Sequence, residues 1–192
     1  MDYSIDYLAI AKEKEKPTRY HHTLGVVNEA VLLAKKYKVN EDKARIAASL
    51  HDITKNDPID KQVADIVKYL GKDAIGDYPI GAYHSLSGAI YAKEVLEIDD
   101  EDIINAIKYH TLGKPDMTTL EKIIFIADFI EPSRESEESE VAKKLAYVSL
   151  DKSLVYILRY TITLHEQVGN SVPKIAYDAL KFYEEKEYEY NK

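Results

Sequence analysis

The sequence predicts an all-α fold, on three observations. Apolar side chains recur at spacings of three and four along most of the chain, strict two-residue alternation is hard to find, and Asn, Asp, Thr or Pro stands where most of the periodic stretches begin. About eight or nine helices account for the pattern. With 192 residues and no internal repeat, the chain is expected to form a single domain able to bury a core without staples.

Taken in order, the first helix runs from about Ser4 to Lys14 and stops before Pro17, its Lys-Glu-Lys-Glu run reading as a solvated face. Thr18 opens the second, on which Leu24, Val27, Val31 and Ala34 form an apolar stripe while Arg19, His22, Val26 and Glu29 share another face. Asn40, followed by Glu41 and Asp42, caps a third helix that runs to His51-Asp52. Asp57-Pro58 repeats the logic, a cap with Pro at the first helical position, for a fourth helix through Tyr69. Gly71, Gly76, Pro79 and Gly81 then break the pattern over a loop of about a dozen residues that ends at His84, where a fifth helix starts toward Leu96.

Asp99-Asp100 caps a sixth helix ending near Tyr109-His110, and Thr118 caps the seventh, Leu120 to Ile130. That seventh segment is almost wholly apolar around one acid, Asp128, which is costly there unless paired, hydrogen-bonded or bound to metal. The Ser- and Glu-rich stretch from Glu135 to Glu140 reads as a mobile surface connection. Two further helices, about Val141 to Val148 and Asp151 to Gln167, precede a last one opened by Ser171 and Pro173 that runs into an acidic, Tyr-rich tail. These later helices, about 141–188, carry no reactive constellation and read as packing on a core at about 17–134.

Composition narrows the chemistry. No cysteine is present, which excludes disulfides and thiolate ligands, so a bound metal must be held by His and carboxylate. No apolar run approaches the length of a membrane span and no signal-like segment follows Met1, so a cytoplasmic protein is expected. The 26 Lys and Arg against 34 Asp and Glu leave a charge of −8, which disfavours a broad basic surface for nucleic acid. A small phosphate-bearing ligand remains compatible if metal ions and a few Lys or Arg supply local positive charge. Sixteen Tyr are expected to sit half-buried with wet hydroxyls. A phosphate-binding Gly-Lys loop is set aside, because Gly71-Lys72 has Ile66 where the earlier Gly would stand and Asp73 in place of Ser or Thr.

The chemistry-bearing side chains are His22, His51, Asp52, His84, His110 and Asp128, separated by 29, 1, 32, 26 and 18 residues. The His51-Asp52 pair alone also fits a hydrogen-bonded helix end. Each of the six, however, lies at or near a helix end or inside an otherwise apolar helix, and helix bundles build metal sites from side chains that several helices point into one cavity. Four His and two carboxylates suit two octahedral ions of the iron or manganese type with Asp52 as the bridge. His21 and His165 fit no such slot.

The order His, His-Asp, His, His, Asp on successive helices resembles the HD-domain metal-dependent phosphohydrolase superfamily. Longer stretches resemble one branch, the bacterial symmetrical diadenosine tetraphosphate hydrolases of the YqeK type: Arg19-Tyr-His-His-Thr-Leu-Gly25, Leu50-His-Asp-Ile-Thr-Lys55, His84-Ser-Leu-Ser-Gly-Ala89, His110-Thr-Leu-Gly113 and Leu120 through Arg134. The likeness covers roughly 17–134 and is loose beyond. It implies a helical fold, a two-metal centre with iron favoured over manganese, magnesium or another transition metal, and hydrolysis of the dinucleoside tetraphosphate to two ADP. By position it implies that His22, His51, Asp52 and Asp128 hold one ion, and Asp52, His84 and His110 the other.

Such chemistry needs an activated water and neutralised phosphate oxygens. Asp52 and Lys55 are the expected catalytic residues, Lys55 reaching a nonbridging oxygen or else standing exposed at a helix end. Arg19, one turn before His22, and Arg134, just past the Asp128 helix, are expected to grip distal phosphates, and Glu131 to orient a ligand or pair with an Arg. Tyr20, Tyr83 and Tyr109 stand near ligands and are candidates to stack on adenine. Another nucleotidase or phosphodiesterase of the same superfamily, a nucleotide sensor without turnover, and a helical interaction module with an acidic tail stay open as alternatives. A homodimer is open as well.

Overall fold

The computed structural model describes residues 5–190, with side chains as far as 186. Among the described residues every regular element is helical, and there are ten α-helices. They are α1 (Tyr7–Lys14), α2 (Pro17–Tyr37), α3 (Glu41–Leu50), α4 (Ile59–Leu70), α5 (Tyr83–Glu94), α6 (Glu101–Tyr109), α7 (Thr119–Ile130), α8 (Glu137–Ala146), α9 (Leu150–Gln167) and α10 (Lys174–Tyr190). Two short 3₁₀ turns, Lys72–Ala74 and Ile80–Ala82, punctuate the Gly- and Pro-rich connection between α4 and α5.

Most helix starts follow from local side-chain chemistry. Asn40, Asp100 and Thr118 each accept backbone N–H bonds at the head of α3, α6 and α7, and Thr118 with Glu121 forms a reciprocal capping box. Pro17, rather than Thr18, is the first residue of α2, where its missing N–H costs nothing. The first helix starts later than expected, with Asp6 as its cap, and Ser4 lies outside the described residues. Asp57 does not cap α4: its carboxylate is taken by Lys14 and Lys61, and Pro58 precedes the helix without a side-chain cap.

The helix count exceeds the expected eight or nine. The stretch Glu135–Glu140, expected as a mobile connection, instead contributes the first turn of α8: Ser136 accepts from the Ser139 N–H, and Glu137, Glu138 and Glu140 lie where the helix dipole favours negative charge. Its composition read as disorder because acidic first-turn residues and disordered segments share a vocabulary.

The main core runs through every helix except α4. Val26, Val27, Ala30 and Leu33 of α2 meet Ala47, Ala48 and Leu50 of α3 and Ile123, Ile124, Ile126 and Ala127 of α7. α6, α8 and α9 add further apolar faces, and α10 closes the assembly with Ala179 and the fully buried Tyr183. That tyrosine departs from the expected wet hydroxyl; its Oη accepts the buried Met117 N–H at 2.6 Å and pins α10 to the loop before α7. α4 packs on α5 through a smaller cluster of Ile66, Leu86 and Ile90. No helix among the described residues is long and apolar enough to cross a membrane. The antiparallel pair α2–α3 and the α5–α6–α7 group present their ends to one point inside the bundle, and the polar side chains there form the site.

Candidate metal centre

The six predicted ligands arrive from five helix ends. His22 projects from the second turn of α2, His51 and Asp52 follow the last turn of α3, and His84 is the second residue of α5. His110 follows α6, and Asp128 sits in the last turn of α7. All six meet, and all but the half-buried Asp128 are buried.

Asp52 is the hub. Its Oδ1 lies 3.0 Å from His84 Nε2 and 3.7 Å from His110 Nε2, while its Oδ2 lies 3.5 Å from His51 Nε2 and 3.8 Å from His22 Nε2. The two oxygens of one carboxylate therefore face two different pairs of imidazoles. Burial alone would raise its carboxyl, but the nearby imidazoles, His51 first and then His110 and His84, hold it well below the usual carboxylate range. Asp128 Oδ1 is 3.1 Å from His22 Nε2, and although burial opposes ionisation, the His22 bond and the His51 and His110 rings hold that carboxyl low as well.

The tautomers follow from the helix ends. His51 Nδ1 is 2.7 Å from the Ala48 carbonyl and His110 Nδ1 is 2.7 Å from the Ile107 carbonyl, both last-turn oxygens with no helical partner. A carbonyl only accepts, so each Nδ1 must carry the proton and each neutral Nε2 is left with a lone pair. His22 repeats the arrangement through Glu131, whose Oε1 is 3.0 Å from His22 Nδ1. The Nε2 atoms of His22 and His51 face each other at 3.3 Å, and those of His84 and His110 at 3.2 Å; because Lys55 Nζ can only donate to His84 Nδ1, His84 carries its proton on Nε2, toward Asp52 Oδ1. Burial lowers the His51 imidazole to about 4, whereas that of His22, against its own burial, is raised by Asp128 and Glu131, so a proton between the two rings resides on His22.

Converging lone pairs and two ionised carboxylates are the donor set of a divalent cation, and the residues fit one. Among the described residues, His22, His51 and Asp128 form one group whose ligand atoms lie within 4.8 Å of one another, and His51, Asp52 and His110 form a second. This grouping differs in detail from the expected one, since His51 belongs to both and His84 enters through its contact with Asp52 and His110.

Cations surround the cluster. Arg19 Nη1 donates to Asp52 Oδ2 at 2.9 Å and Arg134 Nη2 to Asp128 Oδ1 at 3.0 Å. Lys55 is half-buried rather than exposed; its Nζ donates to the Gly81 carbonyl at 3.2 Å and lies 3.1 Å from His84 Nδ1, and burial lowers its pKa. Glu131 both orients His22 and approaches Arg134, and is itself held by the Ser133 N–H at 2.8 Å and the Ser133 hydroxyl. Ser133 and Gly25, which lets Glu131 lie against α2, fall within the stretches that carry the resemblance but were given no role from sequence; a further signal for Gly25 is its place in the interior of a long helix, where glycine lowers helix propensity. Of the tyrosines, Tyr83 packs against the Ile66–Leu86–Ile90 cluster and Tyr20 against the main core.

Helices converging on a buried His/Asp cluster with basic side chains at its rim define a helical metallohydrolase-type site. The family model for the HD domain matches residues 19–133, and the chain belongs to that family. More particularly, it is 36% identical over 155 residues to the symmetrical bis(5'-nucleosyl)-tetraphosphatase of Bacillus subtilis, covering 81% of this chain and 83% of that protein. It is 38% identical over 156 residues to the protein of the same name in Halalkalibacterium halodurans, with 81% and 83% covered. A crystal structure described as a predicted HD superfamily hydrolase involved in NAD metabolism, from Clostridium acetobutylicum, superposes with a TM-score of 0.87 at 36% identity, over 97% of this chain and 98% of that one.

Proposed function

We propose that this chain is a metal-dependent hydrolase that cleaves dinucleoside tetraphosphates, diadenosine tetraphosphate foremost, symmetrically into two ADP. The single observation that carries the reading is the division of Asp52, one oxygen toward His84 and His110 and the other toward His22 and His51, in a family whose similar members bear that activity in their names. In this reading His22, His51, Asp128 and Asp52 would hold one ion, and His84, His110 and Asp52 would hold the other. Nitrogen and carboxylate donors without thiolate are compatible with iron, manganese or magnesium, and iron is the ion that the family resemblance implies.

When bound, such ions supply a water of lowered pKa and neutralise phosphoryl oxygens. The chain's own residues do the rest. His51 and His110 are held in one tautomer by helix-end carbonyls, so no reorganisation is needed when substrate arrives. Glu131 fixes the His22 ring, and Ser133 fixes Glu131. Arg134, the most exposed of the three cations at the site, is free to swing its planar fork from Asp128 onto phosphate, while Arg19 neutralises Asp52. Lys55, with its pKa lowered by burial and its Nζ beside His84, is placed to donate a hydrogen bond to an oxygen on which charge builds as the anhydride breaks.

The test is a product assay beside elemental analysis of protein purified without added metal. Diadenosine tetraphosphate should yield ADP alone, with close to two metal ions per chain as the elemental result. ATP plus AMP would refute symmetrical cleavage, and protein with no bound metal that also resists reconstitution would refute the centre.

A further inference from the structure

Two cavities of about 470 Å³ each open beside the cluster, and they share a wall made of Thr111, Phe125 and Thr161. The first contains His110, Asp128 and Arg134, and continues along α9 past the edge-to-face pair of Phe129 and Tyr160, whose centroids are 5.9 Å apart. The second starts at Gly81 and Ala82, beside His84, and runs under α9 to the loop that leads into α10. Both fall within the size range of small-molecule sites. Helix α9, which looks like packing in sequence, is thus a wall of both chambers, and α10 closes the second through Ala176.

The chambers differ in charge. The first carries Asp128, Arg134 and Glu135, whereas His165 is the sole titratable side chain in the second. That second lining is Leu158, Ile162, Val172 and Pro173 on its apolar side, with His165 and Asn170 meeting at 3.4 Å and Ser171 beside them. Apolar walls with a few convergent hydrogen-bonding groups suit the flat, uncharged base and ribose of a nucleoside and not a phosphate.

Resting on the proposed activity, we infer that the second cavity holds one nucleoside of the substrate, and that the part of the first cavity beyond Asp128 and Arg134, lined by Phe129 and Tyr160, holds the other. Central cleavage of a tetraphosphate leaves two equal halves, so both nucleosides must be housed at similar distances from the reacting phosphates. The molecule provides two chambers of equal volume, one entered beside His84 and one beside Asp128, meeting at the residue that follows His110. His165 and Asn170 give the second chamber its selectivity for the base or ribose edge.

Gly81 offers a clean test. A Cβ added there meets no atom within 4 Å, so a side chain can start from this lining position without a clash; Gly81→Leu adds bulk at the chamber wall, and its carbonyl still accepts from Lys55. Wild type, Gly81→Leu and His165→Ala are compared on diadenosine tetraphosphate and on adenosine 5'-tetraphosphate, which needs only one chamber. For both variants the ratio of kcat/KM for the dinucleoside over the mononucleoside substrate should fall, by about tenfold for Gly81→Leu, which corresponds to about 1.4 kcal/mol of lost binding. Adenosine titrated into methyl-labelled wild-type protein should shift Leu158, Ile162 and Val172. A ratio unchanged in both variants, while wild type releases ADP normally, overturns the inference. Wild type that releases no ADP from diadenosine tetraphosphate overturns the proposed activity, and this inference with it.

Discussion

Gly25→Ala tests how the metal centre is held from behind. Gly25 lies in the interior of α2, where alanine by itself would favour the helix by about 1 kcal/mol. In this fold the added Cβ would come closer than 3.0 Å to Glu131 Oε2, and to 3.3 Å from both Glu131 Cβ and Pro132 Cδ. The carboxylate has little room to retreat, because Oε2 accepts the Ser133 N–H at 2.8 Å while Oε1 takes His22 Nδ1 at 3.0 Å. Moving it breaks the bond that fixes the His22 tautomer and ring plane. Losing such an orienting partner costs about 10- to 100-fold in metal affinity or activity, or about 1.4 to 2.7 kcal/mol. The helix gain and the steric cost oppose each other in global stability, so the melting temperature is a poor readout and metal affinity is the right one. Competitive chelator titration and steady-state hydrolysis are measured for Gly25→Ala, Glu131→Ala and the double variant. Each single change should cost 10- to 100-fold, and the double variant should be no worse than Glu131→Ala, since the clash disappears with its target. Wild-type metal affinity in Gly25→Ala, or additive losses in the double variant, would refute the reasoning.

Asp52→Ala should lose bound metal and essentially all hydrolysis while keeping its far-ultraviolet circular dichroism; near-normal turnover would remove Asp52 from the centre. Burial raises the Glu15 carboxyl to about 7 against an ordinary value of 4.5, opposed by the Thr23 hydroxyl bond. A folded-state pKa above the unfolded one means stability is complete below the unfolded value and is lost as pH rises through about 7, by at most about 3 kcal/mol. Glu15→Gln should therefore match wild type in urea melts at about pH 5 and exceed it at about pH 8.5, and an equal gain at both would contradict the burial argument. Tyr183→Phe strips the buried Met117 N–H of its acceptor and should lower unfolding free energy by about 1 to 3 kcal/mol in the same melts, an unchanged midpoint counting against that bond.

The ring of charge around the centre suits an anionic substrate in an acidic protein. The chain carries −8 overall, yet Arg19, Lys55 and Arg134 converge within hydrogen-bond reach of the ligands or their partners. The local field, and not the global one, governs what binds there.

Periodicity, the Asn40, Asp100 and Thr118 caps and the absence of cysteine were enough to settle the helical class and to restrict any metal to His and carboxylate donors, because these depend on neighbours within about one turn. His22, His51, Asp52, His84, His110 and Asp128 were legible for a similar reason: polar groups at helix ends or in an apolar helix stand out against their surroundings. Folding alone brought residues 106 positions apart within reach of one another and decided which oxygen of Asp52 faces which imidazoles, that Lys55 lies against His84, and that Glu131 rests on Gly25. The role of α9 as a wall of two chambers, and of α10 as a wall of one, was invisible for the same cause. A cavity belongs to no single segment; it is the space several helices fail to fill, and only their packing angles and side-chain contacts decide where that space lies.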